Sequence, residues 1–279
     1  MSGLFMKYMT FNSSCSYAGL ANMLEKKCID VEDYEIALEM KLPFMIDKNE
    51  DGYIVGPMLQ QKKWFDIFLN KYGYEITEEW LDRADVFDYL QGKDTAKLGI
   101  RMDNGRLHYH AVIYKGTEEG KAIFINNKRE GGSDPDEFRF TAKELQERVR
   151  DKTVIATLTP TEEEPVDFSS LLIQSIKYID ALQKDMIDFC SVKHSNQEIL
   201  DKEFGLFRPL LLDAPSMMKL IGQEEILEDM KMLQKTFVQV ALKDKRDDVV
   251  LSDCFDMELL QSVCQRWKML IEQEMERMA

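Results

Sequence analysis

A thiol, an imidazole and a pair of side-chain amides are the residues of this chain whose types and spacing could do chemistry. Cys15 follows Asn12-Ser13-Ser14, a run of helix-capping residues, and precedes an apolar-striped segment. A thiol in the first turn of a helix faces the positive end of the helix dipole. That placement is expected to lower its pKa and favour the nucleophilic thiolate. The chain has three histidines, His108, His110 and His194. His110 alternates with Val112 and Tyr114, as in a strand. The strand predicted after it ends in Asn126-Asn127. A cysteine nucleophile needs a base within hydrogen-bond reach, and that base needs a third group to fix its tautomer. A Cys on an early helix, a His on a strand and an amide at the end of the next strand would supply all three.

The elements that must position these residues can be read from period and punctuation. Helices are predicted over 13–27, 31–41 and 57–72, the last with Pro57 in its first turn and Gly73 past its end. Strands are predicted over 97–102, 107–115, 122–126 and 154–158, with Asp103-Asn104-Gly105 as a turn between the first two. Thr141-Ala142-Lys143-Glu144 is a capping box opening a short helix to Val149. Helices first and an antiparallel sheet after them make the first half α+β. The run Thr159 to Pro165, polar and bracketed by prolines, marks a boundary. Beyond it, 169–192, 216–243 and 253–278 read as long amphipathic helices of an antiparallel bundle. The expected domains are therefore 1–160 and an all-α domain at 161–279.

Composition limits the function classes. The chain has 279 residues, 51 acidic and 36 basic, for a net charge of −15. No dense Lys/Arg stripe offsets that sign, so nucleic acid is not an expected partner. No apolar run has the length of a membrane span, and the N-terminus lacks a secretory pattern, so neither a membrane nor export is expected. The five cysteines are odd in number and spaced for neither a disulfide framework nor a zinc site. A reducing cytoplasm fits them.

The run Cys15-Ser16-Tyr17-Ala18-Gly19-Leu20-Ala21-Asn22-Met23-Leu24 resembles the nucleophile helix of papain-like peptidases of the bacteriocin-exporter (double-glycine leader) type. His110-Ala111-Val112-Ile113-Tyr114-Lys115-Gly116 resembles that family's His strand and the Gly turn after it. Ile125-Asn126-Asn127 falls where the family carries its Asp. The similarity runs from about residue 9 to residue 158, and extends to the N-terminal domain of the butirosin-biosynthesis acyltransferase. The resemblance implies a papain-like fold followed by the helical domain, and thiol-dependent acyl chemistry without a cofactor. Cys15 would attack an amide or thioester carbonyl, and His110 would carry the proton. Asn127 is favoured to orient His110, with Asn126 as fallback and His108 as fallback base. The substrate would be a peptide or an acyl thioester, such as one on a carrier protein, and the product a hydrolysed or transferred acyl group.

Two departures stand out. The family's oxyanion Gln, six residues before the Cys, is replaced by Met9, which leaves Asn12 as the nearest amide for the oxyanion. The usual Gly-Pro after the Cys is Ser16-Tyr17. The alternative expectation is therefore an inactive peptidase-like scaffold whose helical domain binds a protein partner or forms a homodimer.

The remaining motifs carry plainer expectations. Asp47, Asn49 and Asp51 open an EF-hand-like run, but its twelfth position is Met58 rather than Glu. No metal is therefore expected, and the run reads as an acidic turn. Cys28, Cys190, Cys254 and Cys264 are expected to be buried and His194 exposed. Met217, Met218, Met230 and Met232 are expected mainly to fill core, and Trp64, Trp80 and Trp267 to pack on helices.

Overall fold

A computed structural model describes residues 7–102, 109–164 and 166–278. His108 and the turn predicted at 103–105 lie outside the described residues. The chain begins with α1 (Cys15–Glu25) and α2 (Asp33–Glu39), then a hairpin of β1 (Ile46–Asn49) and β2 (Gly52–Val55), then α3 (Lys62–Leu69). Next come β3 (Tyr74–Asp82), α4 (Val86–Gln91), β4 (Ala96–Arg101), β5 (Tyr109–Glu118), β6 (Lys121–Asn126), β7 (Glu137–Phe140), α5 (Ala142–Arg148) and β8 (Lys152–Pro160). The rest holds α6 (Phe168–Cys190), β9 (Lys193–His194), α7 (Asn196–Asp201), α8 (Ala214–Leu220), α9 (Glu224–Phe237), β10 (Val249–Val250) and α10 (Met257–Met278). π-Helical turns occupy Glu203–Phe207, Pro209–Asp213 and Val238–Lys243.

These elements form two compact units. One holds the chain to Met40 together with Gln60–Val166; the other holds Lys41–Leu59 and the chain from Asp167 on. The division expected at Pro160 thus differs in one respect: 41–59 packs with the C-terminal helices. Specific bonds explain why. The Ile46 N–H donates to Ser175 Oγ at 3.1 Å, the Trp267 indole N–H donates to the Pro43 carbonyl at 3.0 Å, and Lys41 pairs with Glu274 at 2.5 Å.

The first unit is α+β. Among the described residues its sheet has six strands in the order β3-β8-β4-β5-β6-β7, all antiparallel. Side chains alternate between its faces. One face buries Leu98, Ile100, Val112 and Phe124 against Val86 and Leu90 of α4 and Leu145 of α5. The other receives α1: a Cβ placed on Gly19 would stand 2.9 Å from Ile113 Cδ1. The two edge strands, β3 and β7, were not predicted. Edge strands bury little and tolerate charge, and β3 carries Glu75, Glu78, Glu79 and Asp82 while fully burying only Ile76. Trp80, expected on a helix, is on this strand and 67% exposed.

The second unit is helical but not all-α, since it includes β1–β2 and the short β9–β10 pair. The segment 216–243, expected as one helix, breaks after α8 at Gly222, whose φ of +69° ends the helix. Trp267, Met217, Met218 and Met230 are fully buried, whereas Met232 is exposed. The EF-hand-like run is the β1–β2 hairpin. There Asn49 Oδ1 accepts the N–H groups of Asp51 (3.0 Å) and Gly52 (3.1 Å), which closes the turn. Backbone meets backbone at this hairpin: a Cβ on Gly205 would lie 1.9 Å from the Asp51 carbonyl oxygen. Cys190 and Cys264 are buried, Cys254 partly so, and Cys28 is exposed, contrary to expectation. His194 is also half-buried rather than exposed: it stacks on Phe189 with ring centroids 3.7 Å apart, and its Nε2 meets the Phe189 carbonyl at 2.9 Å.

Candidate active site

Cys15 is the first residue of α1, and the turn before it is tightly specified. Ser13 sits in the left-handed region with φ of +62°. Ser14 is buried; its hydroxyl donates to the Phe11 carbonyl at 2.9 Å, and its own carbonyl accepts the first helical N–H groups, from Tyr17 and Ala18. Gln60 clamps this turn from outside α1. Its Nε2 donates to the Ser13 carbonyl at 3.1 Å, and its Oε1 accepts the Ser16 hydroxyl at 2.9 Å. Nothing in the sequence marks Gln60 for this task, because the contact depends on how a loop 45 positions downstream folds back.

β5 passes Cys15 where its pairing with β6 stops. The register runs from Glu118↔Lys121 to Val112↔Asn126. One residue beyond it, among the described residues, Ala111 has no strand partner on that side, and a side chain takes the place of one. Asn127 Nδ2 donates to the Ala111 carbonyl at 3.0 Å. The Ala111 N–H acts on the Cys15 thiol, pulling its pKa down. Asn127 is fully buried, and its Oδ1 accepts from Asn22 Nδ2 of α1 at 3.2 Å. Asn22 in turn exchanges bonds with the Lys7 backbone at 3.0 and 3.2 Å. The amide of Asn127 fits against α1 because residue 19 is glycine: a Cβ there would stand 2.7 Å from Asn127 Nδ2. Gly19→Ala is expected to lower stability by about 1–3 kcal/mol, the usual cost of overpacking, read as a lower urea midpoint with an unchanged slope.

His110 is served by the other asparagine. Its Nε2 lies 2.9 Å from Asn126 Oδ1, and Asn126 Nδ2 donates to the Pro135 carbonyl at 2.8 Å. This corrects the expectation that favoured Asn127. The register gives the reason: Asn126 is the last paired residue of β6, opposite Val112, while Asn127 lies beyond it and bonds to Asn22 of α1. The structure therefore joins His110 to Asn126, and Cys15 and Asn127 to Ala111. Asn12 is exposed, and its Oδ1 accepts from Arg129 Nη2 at 2.5 Å. Arg129 was not singled out in the sequence.

The thiol does not follow the expected direction. Burial pushes the Cys15 thiol above its ordinary value. The charge of Lys97, the N–H groups of Ser16 and Ala111 and the Ser16 hydroxyl pull it down, and together they do not outweigh desolvation.

No protein-family profile matches this chain, and no curated protein does. Among solved structures it is similar to the peptidase domain of Streptococcus ComA, a bi-functional ABC transporter involved in a quorum-sensing pathway. The identity is 14% and the TM-score 0.38, over 57% of this chain and 100% of that one. Among the described residues, no group of three or more His, Cys, Asp or Glu side chains could hold a metal ion, and no helix is long and apolar enough to cross a membrane.

Proposed function

We propose that the first unit is a papain-like domain performing thiol-dependent acyl chemistry on an amide or thioester, as a hydrolase or as an acyltransferase of the butirosin-biosynthesis type. One observation carries this. His110 has its Nε2 held by Asn126 Oδ1 at 2.9 Å, and the next residue, Ala111, has a backbone N–H that pulls the Cys15 thiol pKa down. With Nε2 bonded to an amide oxygen, the ring presents Nδ1 for the thiol proton. Cys15 would attack the carbonyl, His110 would return the proton to the leaving amine or thiol, and Asn126 would hold the imidazole's tautomer and angle. The oxyanion would be met by the Cys15 N–H, which at the first position of a helix has no intrahelical acceptor, and by the Asn12 amide, oriented by Arg129. The acyl-enzyme would pass to water or to an amine. All five cysteines are free thiols, as suits a reducing compartment such as the cytoplasm.

The upward shift of the partly buried thiol favours one alternative, an inactive scaffold whose helical unit binds a protein partner or dimerises. The test is iodoacetamide labelling with mass-spectrometric mapping across pH 5 to 9. The acyl chemistry requires Cys15 to label first, at a pH below that of exposed Cys28. Uniform, slow labelling of Cys15 would leave the scaffold.

A further inference from the structure

Gln60 is the residue at which the chain returns to the first unit, and its side chain ends on the turn that carries the thiol. Packing sets its place. Gln61 opens α3, its carbonyl accepting the Trp64 and Phe65 N–H groups at 2.9 and 3.3 Å. α3 docks on α1 where the buried Phe65 ring meets Tyr17 edge-on at 5.3 Å. The backbone at residue 60 is thereby held beside Ser16, the neighbour of Tyr17. Half-buried Gln60 uses both ends of its amide there. Its Nε2 donates to the Ser13 carbonyl at 3.1 Å, and its Oε1 accepts the Ser16 hydroxyl at 2.9 Å. A carbonyl can only accept, so a single orientation of the amide satisfies both partners.

Cys15 lies between those partners in the chain. Ser13, with φ of +62°, is in a left-handed conformation that serine adopts rarely and keeps only where its neighbours over-determine it. Ser14 is the N-cap residue, but its hydroxyl goes to the Phe11 carbonyl rather than to the first N–H groups of α1. That bond ties the start of the turn, and Gln60 grips its middle. Asn12 and Cys15, the two donors proposed for the oxyanion, stand on either side of the Ser13-Ser14 peptide. Rotating that peptide would move one donor relative to the other. An oxyanion hole tolerates misplacement of its donors by less than about 1 Å.

We propose that Gln60 is a positioning residue for the acyl reaction: its hold on the Ser13 carbonyl and the Ser16 hydroxyl sets the Cys15 N–H and the Asn12 amide to receive one oxyanion. This rests on the acyl reading given above. It needs no resting thiolate. As the Cys15 sulfur bonds to the carbonyl carbon, the thiol proton passes to His110 and the oxyanion forms in the hole. Collapse of the oxyanion breaks the bond to the leaving thiol, which takes that proton. Neither of the two bonds of Gln60 involves the sulfur or the imidazole.

The experiment compares two reactions of Cys15 in wild type, Gln60→Met and Gln60→Ala, each checked by thermal denaturation. One is acylation by S-phenyl thioacetate, followed as thiophenol released beyond that from Cys15→Ala. The other is alkylation by iodoacetamide, a displacement at a saturated carbon that forms no oxyanion. Gln60→Met keeps the length of the side chain without either bond, and Gln60→Ala removes it. Acylation is expected to fall about ten- to a hundredfold in both, while alkylation keeps its rate and its pH midpoint. Either variant suffices if the other does not fold. A folded variant in which the two rates fall by the same factor, or in which only the melting temperature falls, would overturn the positioning role and leave the acyl reading standing. A wild type that releases thiophenol no faster than Cys15→Ala would overturn both.

Discussion

His110→Ala is expected to slow iodoacetamide alkylation of Cys15 about a hundredfold or more at pH 6, and to leave Cys28 unchanged. In the proposed pairing the imidazolium is what makes Cys15 reactive; without it the thiol reverts to its intrinsic tendency, which burial places above the usual thiol value. A thiol of ordinary or raised pKa is less than about 1% thiolate at pH 6. The asparagines sharpen the test. Asn126→Ala removes the bond that fixes the ring at Nε2, so it should shift the alkylation profile in the direction of His110→Ala, by less. Asn127→Ala touches neither the ring nor the proton. It strips the Ala111 carbonyl and the Asn22 amide of partners inside a closed site, so it should cost about 1–3 kcal/mol of stability while leaving the pH midpoint where it was. An exchange of these two phenotypes would return the orienting role to Asn127.

Trp267→Ala is expected to lower the stability of the helical unit by about 3–5 kcal/mol, measured by denaturant titration. The side chain is fully buried and its indole N–H is spent on the Pro43 carbonyl at 3.0 Å. Truncation therefore opens a large cavity and orphans an acceptor. The acceptor belongs to the segment 41–59, so the same variant should make that segment cleavable by protease at concentrations the wild type withstands. Trp267→Phe, which keeps most of the ring volume but loses the N–H, should fall between the two. A loss below about 1 kcal/mol in the alanine variant would mean that the indole is not a core anchor.

The helix carrying Trp267 was legible because an apolar stripe buried along one side leaves a 3.6-residue period in the sequence, and the one carrying Cys15 from its capping run, although Ser16 to Leu24 is buried on every side. The His strand was legible from His110, Val112 and Tyr114 at period two, although Ile113 between them is buried as well. β3 and β7 were not, because an edge strand buries too few side chains to impose alternation. The π-helical turns at 203–213 show no period, since they are set by Gly205 meeting the hairpin and by packing around it. Within the site, Cys15 and His110 stood out by type and position. Asn126 and Asn127 could not be ranked, because the register that separates them is fixed by where β6 stops pairing. Gln60 and Lys97 gave no signal, since their surroundings are assembled from α1, α3 and the sheet only in the fold.

The excursion of residues 41–59 makes the two units interlaced rather than consecutive. The chain crosses from one to the other after Met40, returns at Gln60 and leaves again after Val166. Cutting at the exposed run Glu162-Glu163-Glu164 severs only the last of these crossings. The N-terminal fragment still contributes Pro43, Ile46 and Lys41 to the other half, each bound to a helix from beyond the cut. A nicked protein should therefore run as two bands under denaturing conditions and as one particle in native buffer. A gene divided at that point would yield two products, each missing or displaying part of the other's core, so the halves would have to be inherited together.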